Sequence, residues 1–580
     1  MKVRAAETPP PNEPNRARTR PPWHLAATLA GLLLCAWIPL APALRSDFAQ
    51  GFLDPGDSRL VAFVLERNTE WLLGADSSGR SLSDLGIFYP VRDSLFYSDT
   101  LLGQLPFWAA LRLLARDPVV AYHLLLALLL SLNFLVAHRW LARRDDVTSA
   151  GAFFGALLFA IGSPRIAHLF HVQLVAQFPL VLYLATLAEA LAPEPPPSRA
   201  RQLALGVGIG FWWSFLFHLS AYLAWFAAFA TALALPFALL DATTRRSLRR
   251  LLRERWLVPL STAVLAAALV APAAARYFEV AQSVGVRPTE QAKMQLLSLS
   301  AWWYPGPDSL LYGRAAAALP AARDPFESEM RLGIGLVTSA LVLWGLWSGR
   351  RRPIVRWTVL PVAVLCLLLT RFGDVEIWTT LRPYVPGAEA LRAMSRAGLL
   401  ALVPAALGLA FALSAPPVAR RRWLLAALGL IVVAEQWQRP HLDSHRRWLE
   451  RVEPIVAALP GDCPSFYYSP PSRELPAEIS QLDAMWASVV TGIPTINGYS
   501  GALPRDFRLY DHAIEGADAE RAVARNLEEW LAREGLAETC WLRGRHVTRV
   551  APGSELVPLS ILADDFEAGG LGRWRKIAPP

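Results

Sequence analysis

Residues 47–74 read DFAQGFLDPGDSRLVAFVLERNTEWLLG and residues 87–104 read IFYPVRDSLFYSDTLLGQ; both belong to one polar stretch, Asp47 to Gln104, set between two strongly apolar segments. In that stretch Asp47, Asp54, Asp57, Glu66, Glu70, Asp76, Asp84, Asp93 and Asp99 stand against only Arg59, Arg67, Arg80 and Arg92. No other connection between apolar segments carries so many carboxylates, so chemistry is expected here. Ser58 to Leu73 places Leu60, Phe63, Val64, Arg67 and Trp71 at helical spacing, which predicts an amphipathic helix lying on a membrane surface. A second such helix is expected over Leu101 to Leu114.

Outward from this loop the chain is apolar. Hydrophobic residues make up 54% of the 580 and mean hydropathy is +0.30. Runs near the ~20 residues needed to cross a bilayer recur throughout, which predicts a polytopic all-α membrane protein. The expected spans are His24 to Leu44, Val119 to Ala137, Ala150 to Ile161, Leu174 to Leu191, Leu203 to Phe217, Ala221 to Leu240, Leu257 to Ala275, Leu332 to Trp347, Ile354 to Leu369, Leu399 to Leu413 and Trp423 to Ala434, about eleven transmembrane helices in all. Residues 1–22, rich in proline and arginine, read as a disordered cytoplasmic tail. The domain reading is therefore a tail (1–22), a transmembrane domain (23–435) holding the acidic first outer loop (47–104), and a C-terminal domain (436–580).

The net charge of +9 does not point to nucleic acid, because the arginines cluster beside the apolar runs, where they set topology. Alternate connections, Arg139 to Arg144, Arg199 to Arg201, Arg245 to Arg255, Arg350 to Arg356 and Arg420 to Arg422, are all basic. The other set holds the acidic loop, SPRIAHLFHVQ, FHLSAY, Phe278 to Arg331 and Arg371 to Arg396. The N-terminus is expected inside and the C-terminal domain outside. Lysine is confined to Lys2, Lys293 and Lys576, a usage suited to a GC-rich bacterial genome and hence to a bacterial cytoplasmic (inner) membrane.

The C-terminal domain reads as a small α/β unit with a strand at SFYYS (465–469), a helix over Ala519 to Arg533, a strand near Cys540 to Leu542 and a closing hairpin. Cys463 and Cys540 lie in this domain, and two outcomes stay open, a pair or two free thiols.

Several constellations can carry chemistry. Pro-Gly between Asp54 and Asp57 favours a tight turn that can aim both carboxylates into one cavity, as base and partner or as a site for a divalent cation; the alternative is that Asp57 or Ser58 only caps the following helix. His168, His171 and Gln173 form H-x-x-H-x-Q at the mouth of two spans and can bind a metal or a phosphate; the alternative is that the histidines are only amphipathic anchors at the interface. Arg392 and Arg396 lie in VPGAEALRAMSR, on the side where arginine is disfavoured, and a guanidinium grips phosphate in a bidentate manner; the alternative is a surface arginine meeting lipid headgroups. Tyr304, in SLSAWWYPGPDSLLYG, and Asp99, in Tyr97-Ser98-Asp99, belong either to a sugar-binding wall or to the interfacial aromatic belt. No Walker, GxSxG, HExxH or dinucleotide motif occurs.

The pieces GDSRLVAFVLERN, IFYPVRDSLFYSDTLLGQ, SPRIAHLFHVQLVAQFPL, RLGIGLVTSALVLWGL, PGAEALRAMSRAGLL and NGYSG (497–501) resemble a bacterial YfhO-like or RgtA-like branch of the GT-C-fold polyprenyl-phosphate-sugar glycosyltransferases. The resemblance implies an inverting transferase that takes sugar from a lipid-linked donor on the outer face and passes it to a cell-envelope lipid, glycan or protein. It implies an aspartate base in the first outer loop, Asp57 first, then Asp54 and Asp47. Arg392 and Arg396 would neutralise the leaving phosphate, with His168, His171 and Gln173 lining the same cavity. Competing expectations are a transporter or flippase of lipid-linked sugar, and a non-catalytic assembly protein.

Overall fold

The structure, a computed structural model, describes residues 23–74, 79–192, 197–285, 288–439 and 441–553. The expected tail over residues 1–22 and the end of the C-terminal domain beyond residue 553 lie outside the described residues.

A segment surrounded by hydrocarbon must satisfy its backbone polar groups internally, and the apolar runs accordingly form helices. Among the described residues eight are long and apolar enough to cross a membrane: Leu25–Arg45, Pro118–Ala142, Ser149–Ile166, Val172–Ala190, Arg199–Leu219, Ala221–Leu240, Leu257–Val284 and Met394–Ser414. The other expected spans are also helical, as Leu336–Ser348, Pro353–Leu368 and Arg422–Gln436, but each is shorter than a full crossing of ~20 residues. The architecture is a helical, polytopic membrane fold with a small C-terminal sheet. Small residues bring its helices together, since lipid offers no hydrophobic drive between them. A Cβ on Gly345 would lie 1.8 Å from the Gly408 carbonyl oxygen, so only glycine permits this crossing.

The segments read as one side of the membrane meet one another. Gln50–Gly51 pairs antiparallel with Asp443–Ser444, and Leu297–Ser298 pairs parallel with Thr370–Arg371. Tyr277 donates to the Ser98 carbonyl at 2.8 Å. The basic connections form a second group: Arg144 and Arg352 share Asp146, and Arg356 pairs with Asp241.

The helix expected on a membrane surface forms at Asp57–Leu72, but its residues from Ser58 to Thr69 are all buried in protein. The charged side chains of Arg59, Glu66 and Arg67 are buried too, because each finds a partner: Arg59 with Asp483 at 2.9 Å, Glu66 with Arg112 at 2.8 Å and Arg67 with Glu70 at 3.0 Å. The second helix of the loop is Leu105–Leu114.

In the C-terminal region Phe466–Ser469 runs parallel to Thr539–Arg543, which pairs antiparallel with His546–Val550. The Cys463–Cys540 disulfide fastens this sheet, resolving the choice left open above. The helix Ala517–Glu534 was expected; the helices His445–Ala458 and Ala477–Thr491 were not. Ala477–Thr491 rests directly on Asp57–Leu72, with Trp486 Nε1 donating to the Arg59 carbonyl at 3.3 Å and the Phe63 and Trp486 rings 6.4 Å apart.

Candidate functional site

The turn Asp54–Pro55–Gly56–Asp57 gives its two carboxylates different tasks. Asp54 Oδ1 accepts the Ser58 backbone N–H at 2.8 Å, the Ser58 hydroxyl at 2.5 Å and the Gly56 N–H at 3.2 Å. It thereby satisfies a donor that the start of a helix leaves open. Asp57, the first residue of that helix, is spared this work. Its Oδ2 accepts from His171 Nε2 at 2.9 Å, and its Oδ1 accepts from the Tyr499 hydroxyl at 2.6 Å.

Their electrostatics separate accordingly. Burial pushes the Asp54 carboxyl up, and the Ser58 bonds only partly offset this, so its pKa is raised. Burial acts on Asp57 in the same direction, but the hydrogen bond and charge of His171, the Tyr499 hydroxyl and the charge of Arg396 outweigh it and hold the carboxyl below the usual range. Its side chain nevertheless keeps 34% exposure, so one side of the carboxylate is open to solvent. The Tyr499 hydroxyl is pushed up by burial and by the anion beside it, while the charge of Arg392 opposes this. Tyr499 therefore stays a hydrogen-bond donor.

A second cluster adjoins the first. Arg396 Nε and Nη2 donate to Glu329 Oε1 at 2.9 and 2.7 Å, and His168 Nε2 meets Glu329 Oε2 at 3.3 Å. Burial raises Glu329, but the Arg396 charge, with His168 and His171, leaves it well below the usual carboxylate range. The Arg396 guanidinium lies over the Tyr222 ring, 5.1 Å from its centre. The His168 and His171 rings are 6.2 Å apart, which links the two clusters. Arg165 braces the chain around this histidine turn, donating to the carbonyls of Phe159, Leu174 and Val175 and to Gln177.

The structure thus brings together Asp57, His171, His168 and Arg396 from the residues singled out by sequence. Gln173 is buried two residues after His171, with its Oε1 lacking a hydrogen-bond partner among the described residues. Asp99 Oδ1 accepts the Ala221 N–H at 3.0 Å, at the start of the helix Ala221–Leu240. Burial raises its pKa while the charges of Arg396 and His171 pull it down, so it sits within electrostatic reach of the cluster. The Arg392 backbone N–H donates to the Tyr222 hydroxyl at 3.2 Å, and among the described residues no ion pair engages its guanidinium. Asp47 lies exposed in a left-handed turn, φ 49°, after the first long helix, and no hydrogen bond joins it to the cluster. Tyr304 belongs to a separate group, donating to Glu327 at 2.5 Å, where Arg331 bridges Glu327 and Asp308.

Glu329, Tyr222, Tyr499 and Arg165 join this cluster without a local sequence pattern that announces them. Tyr499 stands within NGYSG, but nothing local to that motif says that it faces a loop more than four hundred residues earlier. Glu329 stands in RDPFESEMR (323–331) with Asp324 and Glu327 close by, so nothing in the sequence singles it out.

Each Asp57 oxygen accepts one hydrogen bond and keeps a further lone pair, and among the described residues no group of three or more His, Cys, Asp or Glu is placed to hold a metal ion.

No protein-family model matches the chain, and no curated protein matches it. Among solved structures it is similar to the arabinofuranosyltransferase AftD from Mycobacteria, with TM-score 0.44 and 15% identity over 77% of this chain and 29% of that one. It is also similar to the Archaeoglobus fulgidus oligosaccharyltransferase in its apo form, with TM-score 0.43 and 15% identity over 83% of this chain and 65% of that one. The chain spans less than two thirds of either structure's length. Likeness at this level carries no argument about activity, which must come from the residues of the site.

Proposed function

We propose that this chain is a membrane glycosyltransferase of the GT-C type, in which Asp57 is the general base for transfer of a sugar from a polyprenyl-phosphate donor to a cell-envelope acceptor. The observation that carries the reading is the Asp57 carboxylate, held between His171 and Tyr499 with one side exposed, beside a buried arginine.

The chemistry needs both charges. Asp57 takes the proton of the acceptor hydroxyl as its oxygen bonds to the anomeric carbon; the bond from that carbon to the phosphate oxygen breaks, and the phosphate leaves with the electron pair. Attack opposite the leaving group inverts the anomeric centre. Arg396, oriented by Glu329 and Tyr222, and Arg392, with no ion pair among the described residues, supply positive charge where the phosphate develops its own. His168, Gln173 and Asp99 complete the wall around them. The donor's lipid tail remains among membrane lipids, which accounts for a site at the ends of the spans. The protein is assigned to a bacterial inner membrane with this face outside, an orientation supported by the basic connections of the opposite face and by the Cys463–Cys540 disulfide.

The test is transfer of labelled sugar from polyprenyl-phosphate donors to envelope extract, comparing wild type with Asp57→Asn at equal membrane abundance. Loss of a general base should lower transfer by about 10²–10⁴-fold. Equal activity in the two proteins overturns the assignment of Asp57, and absence of transfer by wild type with every donor overturns the transferase reading.

A further inference from the structure

We propose, resting on the transferase reading above, that the C-terminal domain forms a wall of the active site, with Tyr499 positioning the Asp57 carboxylate for proton transfer. The domain would otherwise read as an appendage after the last helix.

Three residues on one helix make the case. In Ala477–Thr491, Gln481 Oε1 accepts the Gly498 N–H at 2.8 Å, and Met485 Sδ accepts the Tyr499 N–H at 3.2 Å. Asp483, between them, pairs with Arg59, two residues from Asp57, at 2.9 Å. A single rigid element therefore fixes both ends of the Tyr499–Asp57 hydrogen bond. Gln481 and Asp483 are both buried, so these anchors are not exchangeable surface contacts.

The loop carrying Tyr499 is fastened from the other side as well. Phe88 and Tyr89 donate their backbone N–H groups to the carbonyls of Asn497 and Thr495 at 3.2 and 3.0 Å, and Thr495 donates to the Gly86 carbonyl at 3.0 Å. A Cβ on Gly498 would lie 2.3 Å from the Phe88 ring, so the motif needs glycine to seat against the first outer loop. Asn497 donates to the Tyr468 carbonyl and to Gln481 Oε1, both at 3.0 Å, which closes the frame.

Such a frame is what positioning requires, because a reacting carboxylate must be fixed by neighbours that are themselves fixed. His171 holds one oxygen and Tyr499 the other. The plane of the carboxylate is then set, and its exposed side is left for the acceptor hydroxyl.

The experiment uses the full chain in lipid nanodiscs, with Tyr499→Phe beside wild type. A positioning role predicts that kcat falls by roughly 10- to 100-fold, the range for a hydrogen bond to a charged group, while donor KM and the thermal midpoint stay near wild type. The infrared carboxylate stretch that Asp57→Asn removes should also shift in Tyr499→Phe. A wild-type kcat in Tyr499→Phe overturns the proposal while leaving the transferase reading intact. If wild type transfers no sugar, that reading fails and the infrared band alone decides: a shift supports the Tyr499 clamp, and an unmoved band overturns it. Should Tyr499→Phe fold poorly, 3-fluorotyrosine at 499 preserves shape and changes only hydroxyl acidity; a changed kcat or band supports the proposal, and neither changing overturns it.

Discussion

Asp57 and His171 are separated by 114 positions in the sequence and meet at 2.9 Å, the histidine Nε2 on the aspartate Oδ2. The contact joins the first turn of a loop helix to the turn between two spans, and it sets Asp57 apart from Asp54, which serves the helix start.

The pH dependence follows from this contact. His171, Tyr499 and Arg396 hold Asp57 anionic below the usual carboxylate range against the opposing effect of burial. A depressed pKa means that the acid limb of transfer lies below the unperturbed value of ~3.9, and any stability contributed by this ion is present above that value and lost as pH falls through the depressed one. His171→Ala should move the acid limb to higher pH and reduce transfer about 10- to 100-fold at neutral pH. A pH profile of initial rates checks both; an acid limb unmoved in the variant would count against the contact.

Glu329→Gln removes the counter-charge of Arg396, both side chains being about one-tenth exposed. Breaking a buried pair by neutralising one partner costs about 3–5 kcal/mol, because the other charge stays behind without compensation. The thermal midpoint of the purified protein should fall clearly, and transfer should fall with it. Glu329→Ala with Arg396→Ala together should recover part of the stability.

Asp483→Asn should loosen the C-terminal domain from the acidic loop. Arg59 is wholly buried, its Nε and Nη2 have no hydrogen-bond partner among the described residues, and Asp483 is its acid at 2.9 Å. The expected loss is again about 3–5 kcal/mol. Limited proteolysis within residues 47–104 should speed up relative to wild type.

The Cys463–Cys540 link closes 77 positions of chain. Replacing both cysteines by serine should destabilise the C-terminal domain by about 2–4 kcal/mol, mainly by freeing its unfolded state. Peptide mapping without reductant should recover the two cysteines as one linked species from wild-type protein.

The sequence by itself determined the helices and the candidate loop. Apolar runs such as Pro118–Ala142 can only be helical in lipid, and arginine placement sorted the connections into two groups that the fold keeps together. Tertiary structure decided what each polar residue does. Asp54 and Asp57 are equivalent by local pattern, yet one serves the helix start and the other faces His171 and Tyr499, which arrive from 114 and 442 positions away. The helix Asp57–Leu72 looked one-sided because its charges lacked visible partners; Arg112 and Asp483, far along the chain, let those charges be buried. Periodicity reports which face of a helix is apolar, whereas burial of a charge depends on a counter-charge that only the folded chain delivers.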